Sequence, residues 1–194
     1  HASLEDYHSA KSTEDLINSW IGFGSFSRSK IKNKIDEQTN LNIWISRFYE
    51  GLEGGAKTDK AEELFKLIYL RFAPLKIDEV VFQNYISFLE EKKRNENLNY
   101  TKKFNTKVFE ELCKNHPRCK STEFKDISKI KIKKIENFYD DRFADSSDFV
   151  FTFVGDFEIE DMKPYIQKYL GSLPNINRKE SYIDNNIILN GRST

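Results

Sequence analysis

Cys113-x-x-His116-x-x-Cys119 is the one stretch whose residue types and spacing look like a metal site. Soft sulfur and nitrogen ligands three residues apart suit zinc. A structural site needs a fourth ligand, and the chain holds no second Cys/His pair; its three histidines are His1, His8 and His116. Pro117 and Arg118 also sit inside the spacing. The stretch therefore reads as a loop between helices. His8 lies on a helix that is polar around it and reads as a surface residue. Glu90-Glu91 and Glu110-Glu111 are carboxylate neighbours in sequence. Adjacent residues on a helix point apart, so neither pair suits shared acid–base work. Gly22-x-Gly24 follows a helix rather than a strand and lacks a third glycine, so it does not read as a nucleotide loop. No residue is assigned as catalytic, cofactor-binding or metal-ligating.

Composition narrows the partners. Lys+Arg and Asp+Glu both number 31, so the formal net charge is zero. This neutral balance argues against generic binding to nucleic acid, which calls for a basic face. The basic run Lys129 to Lys134 is interleaved with isoleucines and reads as the solvated side of an amphipathic element. No apolar run approaches the roughly 18 residues of a membrane span. Two cysteines in 194 residues do not make a disulfide scaffold.

The elements expected to position these residues are mostly helices. Leu4 to Trp20 has apolar positions at helical spacing, including Leu4, Tyr7, Ala10, Leu16, Ile17 and Trp20. Ser27 to Ile35 reads as a short second helix. Leu41 to Phe48 alternates as a strand, with Leu41, Ile43, Ile45 and Arg47 on one side; a weaker strand follows at Tyr49 to Leu52, then a turn at Gly54-Gly55. Thr58 or Asp59 should cap a helix from Lys60 to Phe72, stopped by Pro74, with Ala61, Leu64, Phe65, Ile68 and Phe72 inward. Asp78 should start another to about Arg94, with Val81, Tyr85, Phe88 and Leu89 inward. Phe104 to Lys114 carries the stripe Phe104, Val108, Phe109 and Leu112. Ile127 to Phe143 is largely helical through Ile132, Ile135, Phe138 and Tyr139. Phe149 to Val154 is short, aromatic and β-branched, and predicts a strand buried on both faces. Asp156 should cap a helix that Pro164 kinks or delays, with Gly171 past its end and Pro174 forbidding continuation. A last strand is expected near Tyr182 to Leu189.

These elements predict an α+β fold, a small and mostly antiparallel sheet with several helices packed on one face. The expected organisation is one domain over 1–174, with 175–194 as a linker toward a following domain.

The order of short strings resembles the second half of the insulinase/pitrilysin family of zinc metallopeptidases, in its long bacterial type. They are Asp6-Tyr7-His8-Ser9-Ala10, Gly22-Phe23-Gly24-Ser25-Phe26, Glu50-Gly51, Leu67-Ile68-Tyr69-Leu70 and His116-Pro117-Arg118. The most specific is the run from Asp148 through Gly155-Asp156-Phe157 to Tyr169-Leu170-Gly171-Ser172-Leu173-Pro174. The resemblance implies the first domain of that second half, homologous to the zinc-bearing domain but without its ligands. The family's H-x-x-E-H signature is missing; the corresponding helix offers His8-Ser9-Ala10-Lys11-Ser12. The implied role is non-catalytic: chamber wall and scaffold in an endopeptidase whose zinc sits elsewhere in the parent. Implied partners are the remaining domains of that peptidase and a peptide substrate in the assembled chamber. A catalytically dead scaffold, or a protein-binding module sharing the fold, is the alternative. The resemblance also implies that strands normally preceding the first helix are missing here, leaving a sheet of three or four strands with one bare edge.

Overall fold

The computed structural model describes residues 6–23, 26, 31, 33–45 and 49–179. Among them, seven α-helices surround one two-stranded antiparallel sheet. Helix α1 is Tyr7–Ser19. Strands β1, Asn40–Ile45, and β2, Glu50–Gly55, form the hairpin. Helices α2, Ala61–Arg71, α3, Glu79–Asn97, and α4, Tyr100–Leu112, follow. Next come the four-residue α5, Phe124–Ile127, then α6, Ile132–Arg142, and α7, Ile159–Tyr169. The second helix expected over Ser27 to Ile35 falls mostly outside the described residues, as does the strand expected at Tyr182 to Leu189.

The hairpin alternates as its sequence demands. Leu41 and Ile43 are buried, while Asn40, Asn42 and Trp44 are exposed. Register pairs Ile43 with Leu52 and Leu41 with Gly54. Gly54-Gly55 is therefore strand rather than the expected turn. A Cβ on Gly54 would lie 2.2 Å from the Asn40 carbonyl oxygen, so the close pass of the two backbones requires glycine there.

Among the described residues the sheet stops at β1 on one side for a visible reason. On the edge of β1 away from β2, Asn18 of α1 donates to the Ile43 carbonyl at 2.8 Å and accepts from the Ile43 N–H at 2.9 Å. Glu14 accepts from the Ile45 N–H at 2.8 Å. Helix side chains thus satisfy the groups that a third strand would use. Phe149 to Val154, expected as an interior strand, is extended but pairs with no described strand. Its side chains alternate: Phe149, Phe151 and Phe153 pack on the core, whereas Val150 is 89% and Val154 93% exposed. It is buried on one face, not on both.

The core gathers Leu16, Ile17, Ile43, Leu67, Tyr85, Ile135, Tyr139 and Phe143. Phe72 sits edge-on to Phe143 and Phe149 at 5.6 and 5.2 Å between centroids. A second cluster, Phe65, Met162 and Tyr169, fastens α7 to α2, with Phe153 stacked on Phe65 at 4.9 Å. Burying one such ring stabilises by roughly 1.5–3 kcal/mol.

Several helix ends differ from expectation. Asp78 caps α3 by accepting from the N–H groups of Val80 and Val81, as the sequence predicts. By contrast α2 starts after a 3-10 turn over Thr58–Lys60, and neither Thr58 nor Asp59 caps it through a side chain. Helix α7 begins at Ile159, with Glu158 rather than Asp156 at its N-cap, and runs through Pro164. Gly171 lies within a 3-10 turn, Leu170–Ser172. The helix expected over Ile127 to Phe143 is split between α5 and α6.

Candidate functional site

The Cys-His-Cys stretch closes the C-terminal end of α4. Cys113 is the residue after the helix, Lys114 and Asn115 take left-handed φ of 51° and 54°, and Pro117–Cys119 forms a 3-10 turn. The Asn115 N–H donates to the Glu110 carbonyl at 2.8 Å, the His116 N–H to Cys113 and the Cys119 N–H to His116. These bonds end a helix and turn the chain. Both cysteines are buried, and neither forms a disulfide. Among the described residues no three His, Cys, Asp or Glu side chains are grouped to hold a metal ion.

His8 lies on α1 with its Nε2 3.4 Å from an Asp126 carboxylate oxygen. Burial lowers its pKa, against the upward pull of Asp126, so the ring is neutral at pH 7. Asp126 is engaged by Lys129 at 2.9 Å and by the Glu123 N–H, as part of the capping box of α5. His8 therefore joins a helix-to-helix contact. Glu110 accepts from the Ser121 N–H, and Glu111 from the Asn115 side chain. Three of the four lysines in the basic run are paired locally: Lys129 with Asp126, Lys133 with Glu136, and Lys134 with Asp6. Ile130 beneath it is buried. Gly22 offers its carbonyl to Arg71, and Gly24 and His1 lie outside the described residues.

What the fold presents instead is uncovered apolar surface, in two places. The first is the outer face of Phe149–Val154, with Val150 and Val154 bare. The second is α4. Its stripe, expected to face inward, points outward: Phe104 is 69% and Leu112 62% exposed, with Tyr100, Val108 and Phe109 also exposed, and no residue of α4 is buried. Phe88 of α3, also expected inward, is exposed. The α3–α4 hairpin presents an apolar side that nothing in this chain's described residues covers. Contiguous exposed apolar surface of this kind marks an interaction face.

Residues 129–191 match the family model described as the peptidase M16 inactive domain. Among solved structures, the chain resembles the ferredoxin protease FusC, seen as a mutant in complex with Arabidopsis ferredoxin. The TM-score is 0.68 at 18% identity, over 91% of this chain and 19% of that one. At that identity the likeness speaks for the fold. No curated protein matches the sequence. Over residues 129–191 the sequence is thus similar to the inactive domain of M16 peptidases, and the fold is similar to that of one stretch of the ferredoxin protease. The matched stretch comprises α6, the extended Phe149–Val154 segment and α7. It includes the run from Asp148 to Pro174 on which the resemblance chiefly rests.

Proposed function

We propose that this chain is a structural, substrate-chamber domain of a zinc-dependent endopeptidase, whose metal and catalytic groups lie in other parts of the parent. The observation that carries the reading is the match of residues 129–191 to an inactive domain. The exposed faces of Phe149–Val154 and α4 support it, because apolar surface is what neighbouring domains would cover. The structural neighbour is a protease in complex with a protein, in keeping with a peptide or protein as the parent's substrate. The chain spans 19% of that protease's length, so activity belongs to the assembled parent.

The test is a quenched fluorescent peptide assay on two preparations, the 194-residue chain and its full-length parent. The parent should show turnover that a chelator abolishes and zinc restores. The chain alone should show none, with or without zinc. Chelator-sensitive turnover copurifying with the chain would overturn the non-catalytic reading. A parent with no turnover would leave a dead scaffold instead. Tight stoichiometric zinc on the chain, lost in Cys113→Ser, would reinstate the Cys-His-Cys cluster as a metal site.

A further inference from the structure

Leu173 is buried, and Pro174 follows it at the rim of the core. Beyond that point an unconstrained chain would take many directions. Here it takes one, and the cause is a buried carboxylate. Asp145, 2% exposed, lies three residues past the end of α6. One of its oxygens accepts from the Ser147 N–H at 3.0 Å and the Ile176 N–H at 3.0 Å. The other accepts from the Ser147 hydroxyl at 2.8 Å and the Arg178 N–H at 2.6 Å. The two backbone donors converge because Asn177 between them takes a left-handed φ of 52°. Such a turn gathers N–H groups into a concavity that holds an anion, and here the anion is the protein's own. Asn175 accepts from the Asn177 N–H at 3.2 Å, and the Ser146 N–H donates to the Pro174 carbonyl at 2.8 Å. Arg178 then reaches back to α6, donating to the Asp141 carboxylate at 2.8 Å and to its backbone carbonyl at 2.9 Å.

We propose that Asp145, the 175–178 turn and the Arg178–Asp141 pair form a lock that fixes the direction in which the chain leaves the core. The lock ties three successive alternate positions, Pro174, Ile176 and Arg178, to the end of α6 and the loop after it. Its geometry passes orientation from α6 to residue 178, and so to whatever the chain carries beyond. It belongs to the chain itself and holds whether or not the chain works inside a peptidase.

The test is amide hydrogen exchange by NMR on the 194-residue chain, with tryptic cleavage after Arg178 and Lys179 as a second readout. In the unaltered chain the Ile176 and Arg178 amides should be protected. Asp145→Ala should speed their exchange, and the cleavage, by about tenfold or more, while the Leu16 and Ile135 amides stay unchanged. Asn177→Gly, which keeps the left-handed conformation accessible, should leave both readouts within about twofold. Asn177→Val, β-branched at positive φ, should behave as Asp145→Ala does. Should Asp145→Ala unfold the whole chain, the Asn177 pair decides. Unprotected Ile176 and Arg178 amides in the unaltered chain would overturn the lock, as would equal behaviour of Asn177→Val and Asn177→Gly.

Discussion

Arg71 shows most clearly how a single side chain ties layers together. It is buried, its guanidinium stacks 3.7 Å over the Phe23 ring, and it donates to the carbonyls of Gly22 and Leu41. Its own carbonyl accepts the Tyr139 hydroxyl. One residue of α2 thus links the end of α1, β1 and α6. Arg71→Ala would strip two buried carbonyls of their donor and should cost about 3 kcal/mol in urea denaturation. Tyr139 adds a pH signature. Burial pushes its hydroxyl up to about 12, against the lowering effect of Arg71. In the unfolded chain a tyrosine titrates near 10. The unfolded state therefore binds fewer protons between these values, and stability falls as pH rises from about 10 to 12. Tyr139→Phe should flatten that decline while lowering stability at pH 7 by about 1 kcal/mol. Denaturation midpoints across pH 8 to 12 check both.

At the scale of elements, α7 is held to α2 through a carboxylate as well as through rings. Glu62 accepts the Tyr169 hydroxyl at 2.7 Å and the Lys168 ammonium at 3.2 Å. Hydrogen bonds from Tyr169, then Lys66 and Lys168, hold its pKa near 2. A depressed folded-state pKa means the contribution is present above the ordinary carboxylate range and is lost as pH falls from about 4 to 2. Glu62→Gln should remove part of the acid limb of the stability profile and leave stability at alkaline pH without further slope, measured by thermal melts from pH 2 to 7. Helix α4 makes the contrasting case. Phe104→Ser should change the stability of this chain by less than about 0.5 kcal/mol, because that ring is largely exposed. Tyr85→Ala, in the core, should cost about 3–5 kcal/mol. Urea titrations of the two variants compare an apolar face that is used with one that is not.

For the whole molecule, the extended Phe149–Val154 segment matters most. Its inner face is sealed by aromatic contacts, its outer face is open at Val150 and Val154, and no described strand pairs with it. An apolar, extended segment with no described strand beside it is a template for another strand. The isolated chain should therefore self-associate with rising concentration, and Val150→Lys with Val154→Lys should restore a monomer. Sedimentation velocity reads this directly; association unchanged by the two lysines would remove the segment as its cause.

Periodicity in the sequence was enough to place most of the helices and the hairpin. Those patterns come from neighbours three, four or two residues apart, and local chemistry governs them: Asp78 caps α3, and Leu41 and Ile43 alternate inward. The motif run from Asp148 to Pro174 likewise lies inside the stretch that matches the inactive-domain model. Tertiary structure decided which apolar faces find a partner. The stripe on α4 has the same period as a buried one, yet it faces outward because no other described element lies against it. The outer edge of β1 was decided in the same way, since Asn18 and Glu14 of α1 occupy it. Burial of Arg71 and Asp145 was equally illegible, because the carbonyls and N–H groups that make it tolerable come from residues distant in the chain, Leu41 for one and Arg178 for the other. Periodicity states which side of an element is apolar; only the packed chain supplies the surface that meets it.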